Sequence, residues 1–389
     1  MDRIYLDNNA TTQVDPRVVN KVVEAMSRDY GNPSSPHALG RSAAAILDSG
    51  REIISSMINC EPEEIFFFSG GTEANNSAVR GAAECEHSVR KAVIFSAVEH
   101  PCVKGVYFKY LKSHGYPGGP VSCDANGVVS LDSFIAAIQK HQDESGPGIA
   151  LVSLMHANNE TGVIQPIEET GRICAEQNIT FHSDGVQSFG KIPVDVKRMN
   201  LGMFGASSHK IHGPKGAGFL YIRKGTHFSP TFFGGHQQGG VRVGTEAVPA
   251  LAGFFEACRI ASQEMTGEAE RVGLLRNRFE EIVTDKLPES RINGGAVSRV
   301  PGTTNMTFPG VAARELIPML DEMGVTASAG SACANSRLQK NTASPVLAAM
   351  GLSDSDSLSS VRFSFGRFNT IVEAEIAAGI VVRAVELLK

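Results

Sequence analysis

The chain reads as an α/β protein with a mostly parallel sheet, helices on both faces, and a smaller α+β domain after it. Short continuous apolar runs alternate with stretches of helical periodicity, the pattern of buried parallel strands. Glycines and polar side chains gather where those runs end. After Thr245 the pattern changes to long amphipathic stretches, with short strands mixed among helices.

Leu6-Asp7-Asn8-Asn9-Ala10-Thr11-Thr12 is polar and turn-prone. Helical spacing starts after Pro16 and stops at Tyr30-Gly31-Asn32-Pro33, and a second helix is predicted over about Ala38 to Ile58. Ile65-Phe66-Phe67-Phe68 is a buried strand running into Ser69-Gly70-Gly71-Thr72-Glu73 and a helix start. That order presents free N–H groups to a phosphate, though a plain βα turn fits it as well. Ala92–Ser96 is the next strand, ending near Glu99-His100-Pro101, with Pro101 suited to a first helical turn. Ile149–Met155 ends at His156-Ala157-Asn158-Asn159-Glu160-Thr161-Gly162, and a helix follows from Ile167 to Glu176. Ile179–Asp184 leads into Asp184-Gly185-Val186-Gln187. Met203-Phe204-Gly205-Ala206 leads into Ser207-Ser208-His209-Lys210, and Gly218–Ile222 comes after it. Beyond Thr245 the amphipathic stretches cover roughly 246–265 and 267–287. Strands lie near Thr303–Phe308 and Val361–Phe365, and helices near 313–323 and 371–388. The domains are 16–255, the large α/β unit, and 1–15 with 256–389, the small one, with the junction inside a helix.

The 389 residues, 42% apolar and 20% charged with net charge −5, are ordinary globular composition. No long run of one sign points to nucleic acid or to an anionic membrane. There is no signal-peptide pattern and no apolar run long enough to span a bilayer, so a cytoplasmic location is expected. Cys60, Cys85, Cys102, Cys123, Cys174, Cys258 and Cys333 form no C-x-x-C pair. Neither a disulfide framework nor a zinc ribbon is expected, nor any metal.

The chemistry centres on Lys210. A lysine held in a partly dry pocket becomes a nucleophile for carbonyl carbons. Ser207 and His209 beside it can hold a phosphate, and lysine with phosphate ligands points to pyridoxal phosphate bound as a Schiff base. Lys210 alone fits a surface loop equally well, and Asp184 alone fits a helix cap. Together they fit one site. Asp184 at a strand end can pair with the pyridinium nitrogen, and Gln187 can donate to the ring's phenolic oxygen. His100 can stack on the ring and move protons, and Gly71 and Thr72 can join the phosphate cradle. Cys333 lies in Ala327–Arg337, small and polar residues without hydrophobic periodicity, the composition of an exposed mobile loop with a reactive thiol.

These motifs, in this order along the chain, resemble the cysteine desulfurases of the NifS/IscS type, among the fold-type I pyridoxal phosphate enzymes. The likeness also includes Gly31-Asn32-Pro33-Ser34-Ser35, Arg242-Val243-Gly244-Thr245, Gly330-Ser331-Ala332-Cys333 and Arg362-Phe363-Ser364-Phe365-Gly366-Arg367-Phe368. The resemblance implies a seven-stranded sheet and a homodimer. It implies conversion of L-cysteine to L-alanine, with sulfur passed to Cys333 as a persulfide. In it Lys210 carries the cofactor and His100 serves beside it. Asp184, Gln187, His100 and Asn159 surround the ring, and Asn159 with Arg362 takes the substrate, Arg362 by its carboxylate. Gly71, Thr72, Ser207 and His209 bind the phosphate, and Thr245 reaches the phosphate of the neighbouring subunit. The persulfide serves a sulfur-acceptor protein, an iron–sulfur scaffold or a thiolation enzyme. Other activities of the same fold, selenocysteine lyase or aminotransferase, and a non-catalytic sulfur relay remain as alternatives. The chain departs from the family in having Gly71 and Gly185 where alanine is common, which predicts a looser seat for the ring. It also has Val243 where serine is common, and a longer segment after Cys333.

Overall fold

The computed structural model describes residues 3–85, 89–142, 148–330 and 342–389. Cys333 lies outside the described residues.

The main sheet has seven strands. Across it run Ile65–Phe68, Gly218–Ile222, Met203–Ser207, Phe181–Asp184, Ile149–Ser153, Ala92–Ser96 and Gly118–Val121. Only Gly218–Ile222 is antiparallel to its neighbours. The central strands are buried along their whole length, which is why they read as unbroken apolar runs rather than alternating ones. The parallel strands point their carboxyl ends to one side, where open α/β sheets place their ligands.

Most expected elements sit where the sequence places them. Helices Pro16–Ser27, Ala38–Ile58, Pro101–Lys109, Ile167–Glu176 and Ile371–Leu388 are present. The stretches 246–265 and 267–287 are one helix, Val248–Lys286, of 39 residues. Gly267 does not break it: a single interior glycine costs about 1 kcal/mol, and the flanking turns pack on two apolar cores. Residues from Val248 to Ala261 join the core around the main sheet. Residues from Val272 to Val283 join a second core with Ile4, Leu6, Phe308, Phe363 and the last helix.

That second core covers an antiparallel sheet of Ser360–Ser364, Thr303–Thr307 and Arg291–Ile292. The N-terminal Ile4–Tyr5 pairs in parallel with Val325–Thr326, and Asp7 bridges to Ser364. Arg362, in the middle of its strand, is thereby carried to the main sheet's carboxyl edge. No helix among the described residues is long and apolar enough to cross a membrane.

Candidate active site

The strand Met203–Ser207 ends in a tight turn, Ser208–Lys210, and His212 after it has φ 65°. The N-terminal segment laces this turn in place. Thr12 N–H and Oγ1 both donate to His209 O at 3.0 Å, and His212 N–H donates to Thr12 Oγ1 at 2.8 Å. Lys210 Nζ donates to the carbonyls of Asn9 at 2.5 Å and Ala10 at 2.8 Å. It faces a cavity of about 390 Å³.

Gly71, Thr72, His100, Asn159, Asp184, Gln187, Ser207, His209, Lys210 and Arg362 all line that cavity. Thr245 does not; it is exposed, on the segment after Arg242, whose guanidinium pairs with Glu73 at 3.0 Å.

Asp184 is buried at its strand end, and its Oδ1 accepts from Val186 N–H at 2.9 Å. The turn therefore uses one carboxylate oxygen. The other, Oδ2, lies 3.8 Å from Cys102 Sγ. His100 caps the helix Pro101–Lys109, its Nδ1 accepting from Cys102 N–H at 3.1 Å. That bond leaves the proton of the neutral ring on Nε2. Burial holds His100 below its ordinary pKa; Asp184 opposes the shift, and Lys210 adds to it. Burial, with Lys210, Lys215 and Lys191 nearby, lowers His209 to about 4. Both rings are neutral at pH 7.

Arg362 is 1% exposed. Its Nη1 donates to Asn159 O at 2.9 Å and its Nη2 to Asp7 Oδ1 at 2.7 Å, while Nε has no partner among the described residues. A guanidinium pinned on two sides and open on a third is set to receive a carboxylate.

Two features test whether pyridoxal phosphate fits. Ser207 Oγ is buried without a hydrogen-bond partner among the described residues, a cost expected only where a ligand supplies the missing acceptor or donor. Gly70 has φ 154° and precedes the helix Gly71–Ala83, whose first N–H groups open on the cavity. The fit is good.

The expected looseness around the ring is corrected by the packing. A Cβ on Gly185 would stand 1.8 Å from Phe204 Cζ, and one on Gly71 would stand 2.4 Å from Val186 Cγ2. The space of the absent methyls is already filled.

Sequence reasoning gave no role to a set of buried polar residues of which Asn75 and Cys102 line the cavity. Ser153 Oγ lies 2.9 Å from His182 Nδ1, and His182 Nε2 lies 3.2 Å from Asn75 Oδ1. Asn75 Nδ2 donates to Cys102 Sγ at 3.4 Å. The chain of contacts ends at Asp184. His182 is pushed down to about 3 by burial, so it is neutral. Asn75 fits because Gly205 has no side chain: a Cβ there would meet Asn75 Oδ1 at 2.2 Å. Glu99 is fully buried behind His100. Its Oε1 accepts from Ser96 Oγ at 2.8 Å and from Met155 N–H at 2.6 Å. Burial, reinforced by Asp184, raises it to about 7.

A lysine, a strand-end carboxylate and a glycine-opened helix start around one cavity define a fold-type I pyridoxal phosphate enzyme. The chain belongs to the class-V aminotransferase family, whose model matches residues 4–376. It is 38% identical over 389 residues to a cysteine desulfurase of Trichormus azollae, covering 100% of this chain and 94% of that one. It is also 38% identical to a mitochondrial cysteine desulfurase of Arabidopsis thaliana, over 99% of this chain and 83% of the relative. A solved NifS-like protein superposes with TM-score 0.89 at 32% identity, covering 99% of this chain and 100% of that one. A structure described as SspA in complex with cysteine gives TM-score 0.80 at 30% identity, over 94% and 100%.

Proposed function

We propose that this protein is a pyridoxal phosphate-dependent cysteine desulfurase, taking sulfur from L-cysteine and releasing L-alanine. The observation that carries the reading is the convergence of Lys210, Asp184 and Arg362 on one cavity from two different cores. The similarity to cysteine desulfurases and to a cysteine-bound structure supports the substrate.

Bound pyridoxal phosphate supplies a carbonyl that captures amines and an electron-withdrawing ring that stabilises negative charge at the substrate α-carbon. Lys210 Nζ would hold the cofactor and would move the substrate α-proton. Asp184 Oδ2, the oxygen its own turn does not use, would serve the ring nitrogen and would keep it protonated. Gln187 would serve the phenolic oxygen, and His100 would stand beside the ring with Nε2–H available to donate. Gly71, Thr72, Ser207 and His209 hold the phosphate. Arg362 takes the substrate carboxylate, with Asn159 beside it. The Cys333 thiolate attacks the substrate sulfur: the Cβ–S bond breaks, an S–S bond forms, and the β-carbon keeps the electron pair and gains a proton. L-cysteine and a thiol thus become L-alanine and a persulfide.

The exposed Thr245, with Phe232 and Phe233 exposed on the same connection, suits a homodimer in which each chain completes its partner's phosphate site. The domains we read are 16–255 and 1–15 with 256–389, joined within helix Val248–Lys286, which packs on both cores, although Val346, Leu347 and Met350 of the second range join the large core. The persulfide is passed to a cytoplasmic sulfur acceptor, an iron–sulfur scaffold or a thiolation enzyme. The test is alanine release from L-cysteine by the purified holoenzyme, together with detection of a persulfide on Cys333. Cofactor bound with no alanine formed would reject the assignment. Alanine formed equally by Cys333→Ser, with sulfur still transferred, would remove Cys333 from it.

A further inference from the structure

A lysine beside the cavity has no task in the proposed chemistry. Lys191 follows Gln187 by one helical turn's spacing. Its Nζ donates to Gln187 Oε1 at 2.9 Å and reaches Asn9 Oδ1 at 3.5 Å. Gln187 Nε2 donates to Asn9 O at 3.0 Å, the same carbonyl that receives Lys210 Nζ at 2.5 Å. Lys191 and Lys210 both line a second, smaller cavity of about 50 Å³ behind the first, while Gln187 opens on the first.

These neighbours decide which end of the amide is which. An ammonium only donates and a backbone carbonyl only accepts, so Oε1 must face Lys191 and Nε2 must face Asn9. Nε2 then keeps one N–H that Asn9 does not use, and Gln187 lines the first cavity. We infer that Lys191 is a positioning residue: it holds Gln187 so that the site offers a hydrogen-bond donor, rather than an acceptor, to the cofactor's phenolic oxygen. The inference deepens the proposed function and rests on its reading of Gln187 as the partner of that oxygen.

The alternative amide orientation would set a carbonyl oxygen against a phenolate. Two acceptors would meet in a partly dry site, where mismatched polar groups are costly. Asn9 O serves both Lys210 and Gln187 and favours the same orientation, and Lys191 secures the amide's other end. Burial, with Lys210 and Arg362 adding and Glu268 opposing, lowers Lys191 to about 7. A neutral amine can accept as well as donate, so Lys191 holds this orientation most firmly while charged.

The consequence is spectroscopic. In the bound cofactor the phenolic oxygen would hydrogen-bond internally to the nitrogen joining it to Lys210 and would help that nitrogen keep its proton. An outside donor competes for the oxygen and lowers the pH at which the proton leaves. Without a correctly held Gln187, that pH rises.

The experiment is a pH titration of the visible band of the holoenzyme for Lys191→Met, Gln187→Ala and the double variant, with bound cofactor quantified. The expected result is an upward shift of about one unit in each single variant, the weight of one charge-assisted hydrogen bond. Lys191→Met should add only a small fraction of that shift in the Gln187→Ala background, and Lys191→Arg should titrate like the wild type. A titration that moves in Gln187→Ala but not in Lys191→Met overturns this inference alone. Full additivity in the double variant also overturns it, since Lys191 would then act by charge and not through Gln187. No shift in Gln187→Ala overturns the reading of Gln187 and this inference with it. If Lys191→Met fails to hold cofactor, Lys191→Gln replaces it under the same criteria.

Discussion

Ser344 Oγ donates to Glu160 Oε2 at 2.6 Å while accepting from the N–H groups of Val346 and Leu347, so it caps helix Pro345–Ala349 and grips a carboxylate at once. A Cβ on Gly330 would lie 2.9 Å from that same oxygen. The described residues on either side of 331–341 therefore converge on Glu160, the neighbour of Asn159 in the cavity wall. Glu160→Gln is expected to retain cofactor but to lower alanine formation by about tenfold. Misplacing a reacting group by about an ångström can cost roughly a hundredfold. Steady-state kinetics alongside the visible spectrum checks it, and an unchanged rate would show that the Glu160 contacts do not bear on the reaction.

Lys210→Ala should lose both the cofactor linkage and the proton carrier. Alanine formation should fall by at least roughly 10²–10⁴-fold, the range for a positioned acid–base group. The visible band should not be fixed by borohydride. Quantifying alanine by chromatography decides it.

Arg362→Ala should reduce kcat/KM for L-cysteine by on the order of tenfold to a hundredfold, from about 1.5–3 kcal/mol for a charge-assisted hydrogen bond. Because the wild-type guanidinium also ties Asp7 to Asn159, the variant should melt earlier as well. Arg362→Lys should rescue only in part, since an ammonium cannot fork between those partners. Substrate titrations and thermal melts separate the two losses.

Glu99 predicts a stability trend with a definite sign. Its folded-state pKa, about 7, stands above the ordinary glutamate value of 4.5, so the folded protein binds the extra proton between those values. Stability from this group is therefore fully present below about pH 4.5 and is lost as pH rises through 7. The loss is about 3 kcal/mol at most. Glu99→Gln should flatten the fall in melting temperature between about pH 5 and pH 8 relative to the wild type, in buffers run side by side. Parallel curves would mean that Glu99 does not titrate in this window.

Gly185→Ala should be destabilising rather than benign, because its methyl would meet the Phe204 ring at 1.8 Å. Overpacking of this kind costs about 1–3 kcal/mol or more. Phe204→Leu in the same chain should recover part of the loss. A thermal melt of the single and double variants measures both.

Much of the fold and the site was legible in the sequence. Buried parallel strands such as Ala92–Ser96 and Ile149–Ser153 announce themselves as apolar runs, and the turn after each run becomes cavity wall. Gly118–Val121 went unread because Gly-Gly-Pro-Val looks like punctuation; it is a sheet edge, where proline is tolerated. The tie from Asn9 and Ala10 to Lys210 spans about two hundred residues, and no local pattern encodes such a contact. Lys191 had a local signal, its spacing from Gln187, but the amide's orientation needs Asn9 as well. Asn75 and Cys102 carried none, since their places depend on the bare backbone of Gly205 and the turn at Asp184.

The helix Val248–Lys286 gives the enzyme a fixed ruler. Lys210 is mounted on the core that holds the helix's first turns, and Arg362 on the core that holds its later ones. An unbroken α-helix resists bending, so the two cores cannot drift apart independently. The span between amine and guanidinium is thus gauged by a rod outside the cavity, and a substrate much longer between amino and carboxylate groups would find its second handle out of reach. That gauge is set by a helix that does not line the cavity.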